Sequence, residues 1–352
     1  RPSSGSRRAR VSATGLVVAP SVLLIVLSVT ALAVGARSVE ITTTLHTLAT
    51  VLTEGLSPAA AAGMDAAAVT SRIPRTLTAA LVGAALAVAG AALQGATRNP
   101  LGDPGLLGLS AGASLAMALG IAAGAATSTP IIMALAVAGT LVAAVVVYAV
   151  AAAASRVGRT PGSPSPLSLV LAGAAVTAGA TALTTALLVL APPVMERFRY
   201  WTVGTVARAD LGEALLIGPV ILAGIVVAIL AAPGLDAIAL GDDLAHGLGS
   251  RPGRTRALLL LVTVVLTGAA VALAGPVGFI GLIVPHAVRR LRPPTTRALM
   301  IGSALWGAVL VVAADILGRT VVAPAEIHLG ITTVLLGVPV LLVLLRRTGV
   351  SA

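Results

Sequence analysis

The sequence predicts an all-α protein that crosses a membrane many times, and both its composition and its pattern indicate this. Of its 352 residues, 57% are hydrophobic and only 10% are charged, whereas about a quarter of the residues in a soluble domain are charged. Apolar runs recur along the chain at lengths of roughly 17–25 residues, the length of a helix that spans a bilayer. The arginines fall mainly in the short segments between those runs, as membrane orientation requires.

Ten apolar runs are interpreted as membrane-spanning helices of one domain covering residues 1–352. Five spans lie within 15–191 and five within 213–345. The hexapeptides GLLGLS (105–110) and GFIGLI (278–283) lie an odd number of spans apart, which favours two inverted-repeat halves. The predicted spans are 15–36, 76–95, 105–124, 131–154, 167–191, 213–231, 257–274, 277–288, 298–317 and 329–345.

The second span carries a small residue at every fourth position, which predicts close contact with a neighbouring helix. These residues are Gly83, Ala87, Ala91 and Gly95.

The arginines predict the orientation of the chain. All 23 basic residues are arginine, and ten spans with the N-terminus inside put 16 of them inside and 7 outside. The positive-inside rule therefore favours cytoplasmic N- and C-termini. The first run also resembles a signal peptide ending at Ala31-Leu32-Ala33, but it exceeds the usual apolar core of about 7–15 residues, which favours a retained span.

The residue types that are missing exclude several kinds of site. A Walker A loop needs its lysine, so ATP and Mg²⁺ must be bound by a partner subunit if ATP drives this protein. Without cysteine there are no disulfides and no thiolate metal ligands. A net charge of +11 would suit nucleic acid, but arginines spread over short loops favour contact with membrane lipid and predict no nucleic-acid partner. The histidines are too scattered to predict a metal site: His46, His246, His286 and His328.

The segment 232–256 is one of three long loops, with 37–73 and 192–212, and it contains a predicted amphipathic helix at 237–249. Leu240, Leu244 and Leu248 recur at the spacing of one helix face. Asp242 and Asp243 are predicted on the other side. Helices that lie on lipid usually carry Lys or Arg on the polar face, so this acidic one favours a protein partner.

Arg72, Arg75 and Arg319 are predicted at the outer ends of their spans, where the orientation rule disfavours arginine. Snorkelling to the interface is one explanation, and Asp315 offers Arg319 a partner four residues earlier.

On the cytoplasmic side, residues 99–104 are predicted to form a tight turn. Asp103 is the expected N-cap and Pro104 the first helical residue of the next span.

Six phrases occur in a characteristic order: SRIPRTLTAALVGAALAVAGAALQG (71–95), RNPLGDPGLLGLSAGA (98–113), YWTVG (200–204), ALGDDLAHGLG (239–249), GFIGLIVPHAVRR (278–290) and ADILGR (314–319). In this order they closely resemble the permease subunits of bacterial ABC importers for iron–siderophore complexes, haem and cobalamin. The resemblance runs from about residue 70 to the C-terminus.

The resemblance implies a permease without a cofactor or an ATP site of its own that passes a metal chelate, most often a ferric siderophore, into the cytoplasm. Its implied partners are separate ATP-binding cassette ATPase subunits, a periplasmic or lipid-anchored substrate-binding protein and a second, identical or related permease chain. Its implied location is the cytoplasmic membrane of a bacterium.

The resemblance also implies roles for particular residues. Docking of the binding protein would involve Arg72, Arg75 and Arg319. The cytoplasmic gate would include Asn99, Leu101, Pro166 and Leu167. Coupling to the ATPase would use Leu240, Gly241, Asp242, Leu244, Gly247, Leu248 and Gly249. The translocation path would include Ser168, Thr177, Thr181 and Thr184, although hydroxyls in membrane helices often bond back to their own backbone instead.

The chain departs from the family pattern in two places, one of them at residues 337–341, where the usual Gly-x-Pro-x-Phe reads GVPVL, and one rival function is left open. The family usually has Glu-x-Pro-x-Gly before the last span, whereas this chain has His328 two residues after Glu326. The rival is an ion-coupled secondary transporter, which usually needs an acidic residue in mid-membrane; Asp315 and Glu326 are predicted near helix ends, which argues against it. His286 is expected to be a capping or interface group at the end of its span rather than a metal ligand.

Overall fold

The computed structural model is built almost entirely of α-helix. It describes residues 13–35, 38–100, 102–105, 107–157, 166–247, 249–323 and 325–346. Those ranges contain fourteen helices and no strand, which confirms the predicted all-α class. In chain order the helices are α1 (Ala13–Ala33), α2 (Ile41–Glu54), α3 (Leu56–Ala61), α4 (Met64–Thr97), α5 (Leu109–Ala122), α6 (Thr129–Val157), α7 (Pro166–Leu190), α8 (Pro192–Thr202), α9 (Leu211–Ala239), α10 (Asp242–Gly247), α11 (Pro252–Ala274), α12 (Ile280–Arg290), α13 (Thr296–Thr320) and α14 (Leu329–Arg346).

Each predicted span coincides with one of these helices. Among the described residues, seven helices are long and apolar enough to cross a membrane: α1, α4, α6, α7, α9, α11 and α13. Helices α5 and α12 have only 14 and 11 residues, fewer than the roughly 17–25 that a span needs. The chain is therefore a multi-pass membrane protein, and the number of ten spans stays a prediction, as does its division into two inverted-repeat halves.

Two of the predicted long loops contain helices, so the loop interpretation of those segments was wrong. Segment 37–73 holds α2, α3 and the start of α4, and segment 192–212 holds α8. These helices were missed because they are too polar to be identified as spans, yet they pack on the bundle. Val69 of α4 is fully buried, and Phe198 of α8 is buried against α5.

Helix α4 lies at the centre of the bundle, where it packs against α9, α11, α12 and α13. A Cβ atom added to Gly83 would lie 2.2 Å from the carbonyl oxygen of Gly307 in α13. One added to Gly90 would lie 1.9 Å from the carbonyl oxygen of Gly281 in α12. The backbones are in direct contact at both points, and only glycine leaves room for this approach. The predicted packing role of the small residues in this helix is confirmed.

The helices around α4 differ in how much of their surface the chain itself covers. In the most apolar stretch of α4, 78% of residues are buried, but only 28% in α1 and 17% in α7. Helices α1 and α7 therefore present broad apolar faces to lipid or to another protein chain.

The glycine contact at α4 leads to a stability prediction. We expect Gly90→Ala to lower the thermal midpoint of the detergent-solubilised protein, because overpacking against a backbone costs about 1–3 kcal/mol. Gly179→Ala in α7 is the matched control, since a Cβ there meets no atom within 4 Å and alanine favours a helix over glycine. Equal loss of stability in the two variants, measured by thermal unfolding, would contradict the packing role.

Candidate functional site

Of the three arginines predicted at outer helix ends, Arg75 and Arg319 contact the carboxylate of Asp315, and the charge of Arg75 acts on Arg72 one helical turn earlier. We call this group the Asp315 cluster (Arg72, Arg75, Asp315, Arg319 and Glu326). Arg75 donates from Nε to both oxygens of Asp315 at 2.9 and 3.1 Å. Its Nη1 lies 2.9 Å from a Glu326 oxygen. Arg75 on α4 therefore joins α13 to the segment before α14.

The predicted pair within α13 is also present, with Arg319 Nη2 3.5 Å from Asp315. Arg319 is only 2% exposed, and its Nε and Nη2 have no hydrogen-bond partner among the described residues. Asp315 makes its short hydrogen bonds with Arg75, which no local sequence spacing indicates. Arg319 is thus a buried guanidinium with unused donors.

Arg72 is held by the end of α1. Its Nη1 donates to the carbonyl oxygens of Leu32 and Ala33 at 2.7 and 3.1 Å, and these oxygens belong to the helix end that lacks intrahelical donors. A Cβ on Gly35 would lie 2.6 Å from Arg72 Nη2, so glycine leaves space for the guanidinium. The snorkelling interpretation is wrong for Arg72 and Arg319, because both side chains are buried in the protein.

At the other end of α4, two of the sequence phrases meet through Gln94, which is buried and which the sequence did not single out. Its Nε2 donates to the carbonyl oxygens of Gly102 and Gly281 at 3.1 and 3.0 Å. Arg289 of α12 donates to its Oε1. One amide therefore connects the RNPLGDP turn to both ends of α12.

The turn itself differs from the prediction. Asp103 does not cap a helix that starts at Pro104; its Oδ1 accepts from the backbone N–H of Gly105 at 2.8 Å, and α5 begins only at Leu109. The helix starts late because Gly108 has a left-handed conformation, with φ of 76°, which interrupts helical geometry.

Of the predicted gate residues, Asn99 is half-buried in this turn and its carbonyl oxygen accepts from Gly102 N–H at 3.0 Å. Leu101 lies outside the described residues. Pro166 and Leu167 open α7, and their side chains are also outside the described part.

The predicted amphipathic helix at 237–249 is wrong as a single element, because the chain breaks at Gly241. Helix α9 runs to Ala239, Gly241 has φ of 110°, and α10 begins at Asp242. A positive φ ends helical geometry whatever the spacing of the leucines. Leu240 and Leu244 remain 61% and 62% exposed, so an apolar surface is still presented at this corner; Leu248 lies outside the described residues.

Asp242, predicted on the side of the helix away from the leucines, is bound by two arginines of its own chain. It accepts two hydrogen bonds from Arg256 of α11, at 2.8 and 2.9 Å. Nη2 of Arg98, at the end of α4, lies 2.8 Å from Oδ1 of Asp242. Hydrogen bonding and charge from Arg256, together with the charge of Arg98, lower the pKa of Asp242, so the carboxylate stays ionised at neutral pH. We call these three residues the Asp242 clamp.

A cavity of about 290 Å³ lies between Gln94 and the Asp242 clamp. Its wall includes Gln94, Arg98 and Arg289. Polar side chains from α4 and α12 therefore converge beside the corner that presents Leu240 and Leu244.

Of the four hydroxyls predicted for the translocation path, two bond back to their own helix backbone. Thr177 and Thr184 donate to the carbonyl oxygens four residues earlier, both at 2.8 Å, as the alternative interpretation expected. Thr181 is exposed on the broad uncovered face of α7, and Ser168 is half-buried near its start.

The model of the FecCD transport family matches residues 23–347. The chain is 38% identical over 340 residues to the ferric enterobactin transport system permease protein FepD of Escherichia coli (strain K12), covering 96% of this chain and 97% of that protein. It is 39% identical over 279 residues to the hemin transport system permease protein HmuU of Yersinia pestis, covering 78% of this chain and 82% of that one.

A solved structure described as an inward-facing metal-chelate type ABC transporter has the same fold. Its TM-score is 0.78 at 24% identity, covering 96% of this chain and 100% of that chain. The family model and the identity to its relatives together show that this chain belongs to the FecCD transport family.

Proposed function

We propose that the chain is the membrane-spanning permease subunit of an ABC importer that carries a ferric chelate, of the siderophore class, into a bacterial cytoplasm. The similarity over 96% of the chain to a ferric enterobactin permease carries this proposal. ATP and Mg²⁺ belong to separate ATPase subunits, and the chelate arrives on a periplasmic or lipid-anchored binding protein. A second permease chain, identical or related, completes the pathway.

The corner between α9 and α10 is the proposed seat of the ATPase. Exposed Leu240 and Leu244 supply an apolar contact, of the kind that marks a protein interface when it stands outside the membrane. Gly241, Gly247 and Gly249 permit close approach, since a Cβ at each would meet no other described residue within 4 Å. The Asp242 clamp fastens the corner to α4 and α11, so that a push on it moves those helices as a rigid body.

The Asp315 cluster is the proposed docking site for acidic side chains of the binding protein. It holds three arginines against two carboxylates, which leaves an excess of positive charge. Guanidinium groups bind carboxylates in a planar, bidentate manner. Arg75 and Glu326, with side chains 13% and 37% exposed, are the accessible members, so an incoming carboxylate first competes with Glu326 for Arg75.

The gate is proposed at the RNPLGDP turn and the start of α7, and the path along α7. Asn99 and Leu101, with Pro166 and Leu167, would close the cytoplasmic end against the second permease chain. The uncovered face of α7, with Thr181, would line the path together with Ser168, Thr177 and Thr184, whose mild polarity suits a cargo already selected by the binding protein.

Reconstituted transport tests this function against the ion-coupled alternative. In proteoliposomes, we expect uptake of ferric enterobactin or a similar chelate only when the ATPase subunits, internal ATP and the binding protein are all present. Omission of each component in turn is the control. Uptake driven by a proton or sodium gradient without ATP would favour the secondary transporter instead.

The Asp242 clamp gives a coupling prediction. We expect Asp242→Asn to leave folding nearly unchanged, since exposed ion pairs contribute about 0–1 kcal/mol, but to lower severalfold the amount of chelate imported per ATP hydrolysed. Neutralising the neighbouring, exposed Asp243 by Asp243→Asn is the control. An unchanged ratio of transport to ATP hydrolysis in Asp242→Asn would argue against the clamp as part of the coupling.

The Asp315 cluster predicts opposite changes in binding-protein affinity for substitutions of Glu326 and of Arg75. We expect Glu326→Gln to strengthen binding of the substrate-binding protein, because Arg75 loses its internal competitor. We expect Arg75→Gln to weaken binding and to reduce its dependence on salt. Binding is measured at two ionic strengths, with Arg208→Gln, an exposed arginine outside the cluster, as the matched control. Identical affinities for Glu326→Gln, Arg75→Gln and the control would exclude docking at this cluster.

A further inference from the structure

A second and larger cavity lies on the opposite side of α12, away from the Asp315 cluster and from the ATPase corner. Its volume is about 410 Å³, within the roughly 300–1,000 Å³ of ligand pockets in proteins. Helices α12, α13 and α14 form its walls, which are aliphatic except for Trp306 and Gly337. It has the size of a ligand site, and the described residues of its walls include none of the Asp315 cluster or of the ATPase corner.

An aliphatic cavity of this kind holds hydrocarbon better than water. Water needs two to four polar partners to occupy a buried space, and these walls offer almost none. An empty cavity would forgo the dispersion contacts of its lining atoms. In a multi-pass membrane protein, the nearest apolar filler is a lipid acyl chain.

One end of the cavity is marked by positive charge. Leu291 lines the cavity at the C-cap of α12, and the residues on either side of it, Arg290 and Arg292, are exposed. A Cβ on Gly302, near the start of α13, would lie 3.0 Å from Val288 and 3.2 Å from Leu16. The end of α12 and the starts of α13 and α1 thus lie together, at the side of the bundle that the arginines predict to be cytoplasmic. Clusters of arginine at that side attract anionic lipid headgroups.

Trp306 adds the one aromatic ring among the described residues of the cavity wall. Its indole Nε1 is buried in the protein, so the ring presents its carbon atoms to the cavity. Trp306 lies four residues beyond Gly302, about 6 Å farther along α13 at 1.5 Å per residue. It is therefore deeper than the arginines, at a level where its ring contacts the acyl chain.

We propose that this cavity is a binding site for an anionic phospholipid. One acyl chain fills the space between α12, α13 and α14 against the ring of Trp306, and the phosphate rests on Arg290 and Arg292. The site depends neither on the cargo nor on the ATPase, so its test is separate from that of the proposed function.

The protein contains only two tryptophans, which permits a direct test. In a Trp201→Phe background, the purified full-length chain is placed in bilayers that contain dibrominated phosphatidylglycerol or dibrominated phosphatidylcholine. Bromine quenches Trp306 fluorescence only at short range. We expect the anionic lipid to quench at a severalfold lower mole fraction than the zwitterionic one. Retention of phosphatidylglycerol over phosphatidylcholine by the wild-type chain in native mass spectrometry is the second measurement, which does not need the Trp201 variant.

Three variants separate the parts of the proposal. Arg290→Gln with Arg292→Gln should reduce the preference for the anionic lipid by roughly fivefold for each arginine. Ala287→Leu, which fills the cavity, should reduce quenching by both lipids. Arg251→Gln with Arg254→Gln, two exposed arginines at the start of α11, is the matched control and should change nothing. Equal quenching by the two lipids, or an equal effect of the control pair, would overturn the anionic site. Undiminished quenching in Ala287→Leu would overturn the cavity as the place of the acyl chain.

Discussion

The direct contact of glycine backbones along α4 is the constraint on which the rest of the molecule depends. Gly83 against Gly307 and Gly90 against Gly281 bring α4, α12 and α13 closer together than any side chain would allow. A membrane interior provides little hydrophobic force between helices, so close packing of this kind must hold them together. The abundance of alanine and glycine and the scarcity of aromatic residues, 2% of the chain, follow from that requirement.

The same contact makes α4 a rigid connection between two polar groups. Arg75 near one end reaches the Asp315 cluster, and Arg98 at the other end belongs to the Asp242 clamp. These residues are 23 positions apart in the sequence, which is about 35 Å along a helix. Because α4 is packed by backbone contacts in between, we expect its two ends to move together. The proposed docking site and the proposed coupling corner are thereby joined by one helix.

Local sequence spacing predicted the features that arise within one helix. It failed where a contact between distant segments determines the partner of a side chain, or where a glycine ends a helix. The helix class, the packing stripe of α4 and the Asp315–Arg319 pair follow from periodicity and i,i+4 spacing. Arg75–Asp315, across 240 positions, could not be inferred from any local pattern. The break at Gly241 overrode the leucine spacing, although a glycine followed by two aspartates was a visible signal of a helix end and a new start. Gln94 was overlooked because a single amide among alanines carries no motif.

The burial of the Asp315 cluster bears on how docking would work. A buried arginine with unsatisfied donors, as Arg319 is, costs the protein the desolvation of those groups, about 1–3 kcal/mol or more because the group is charged. Asp315 and Glu326 hold Arg75 in place while no partner is present, so little side-chain entropy is lost when an acidic group arrives. That group must take Arg75 from Glu326, and Glu326 precedes α14 by only a few residues. Docking at this cluster would therefore release the segment that leads into the last helix. Binding at the surface would in this way be transmitted to α14 within the bundle.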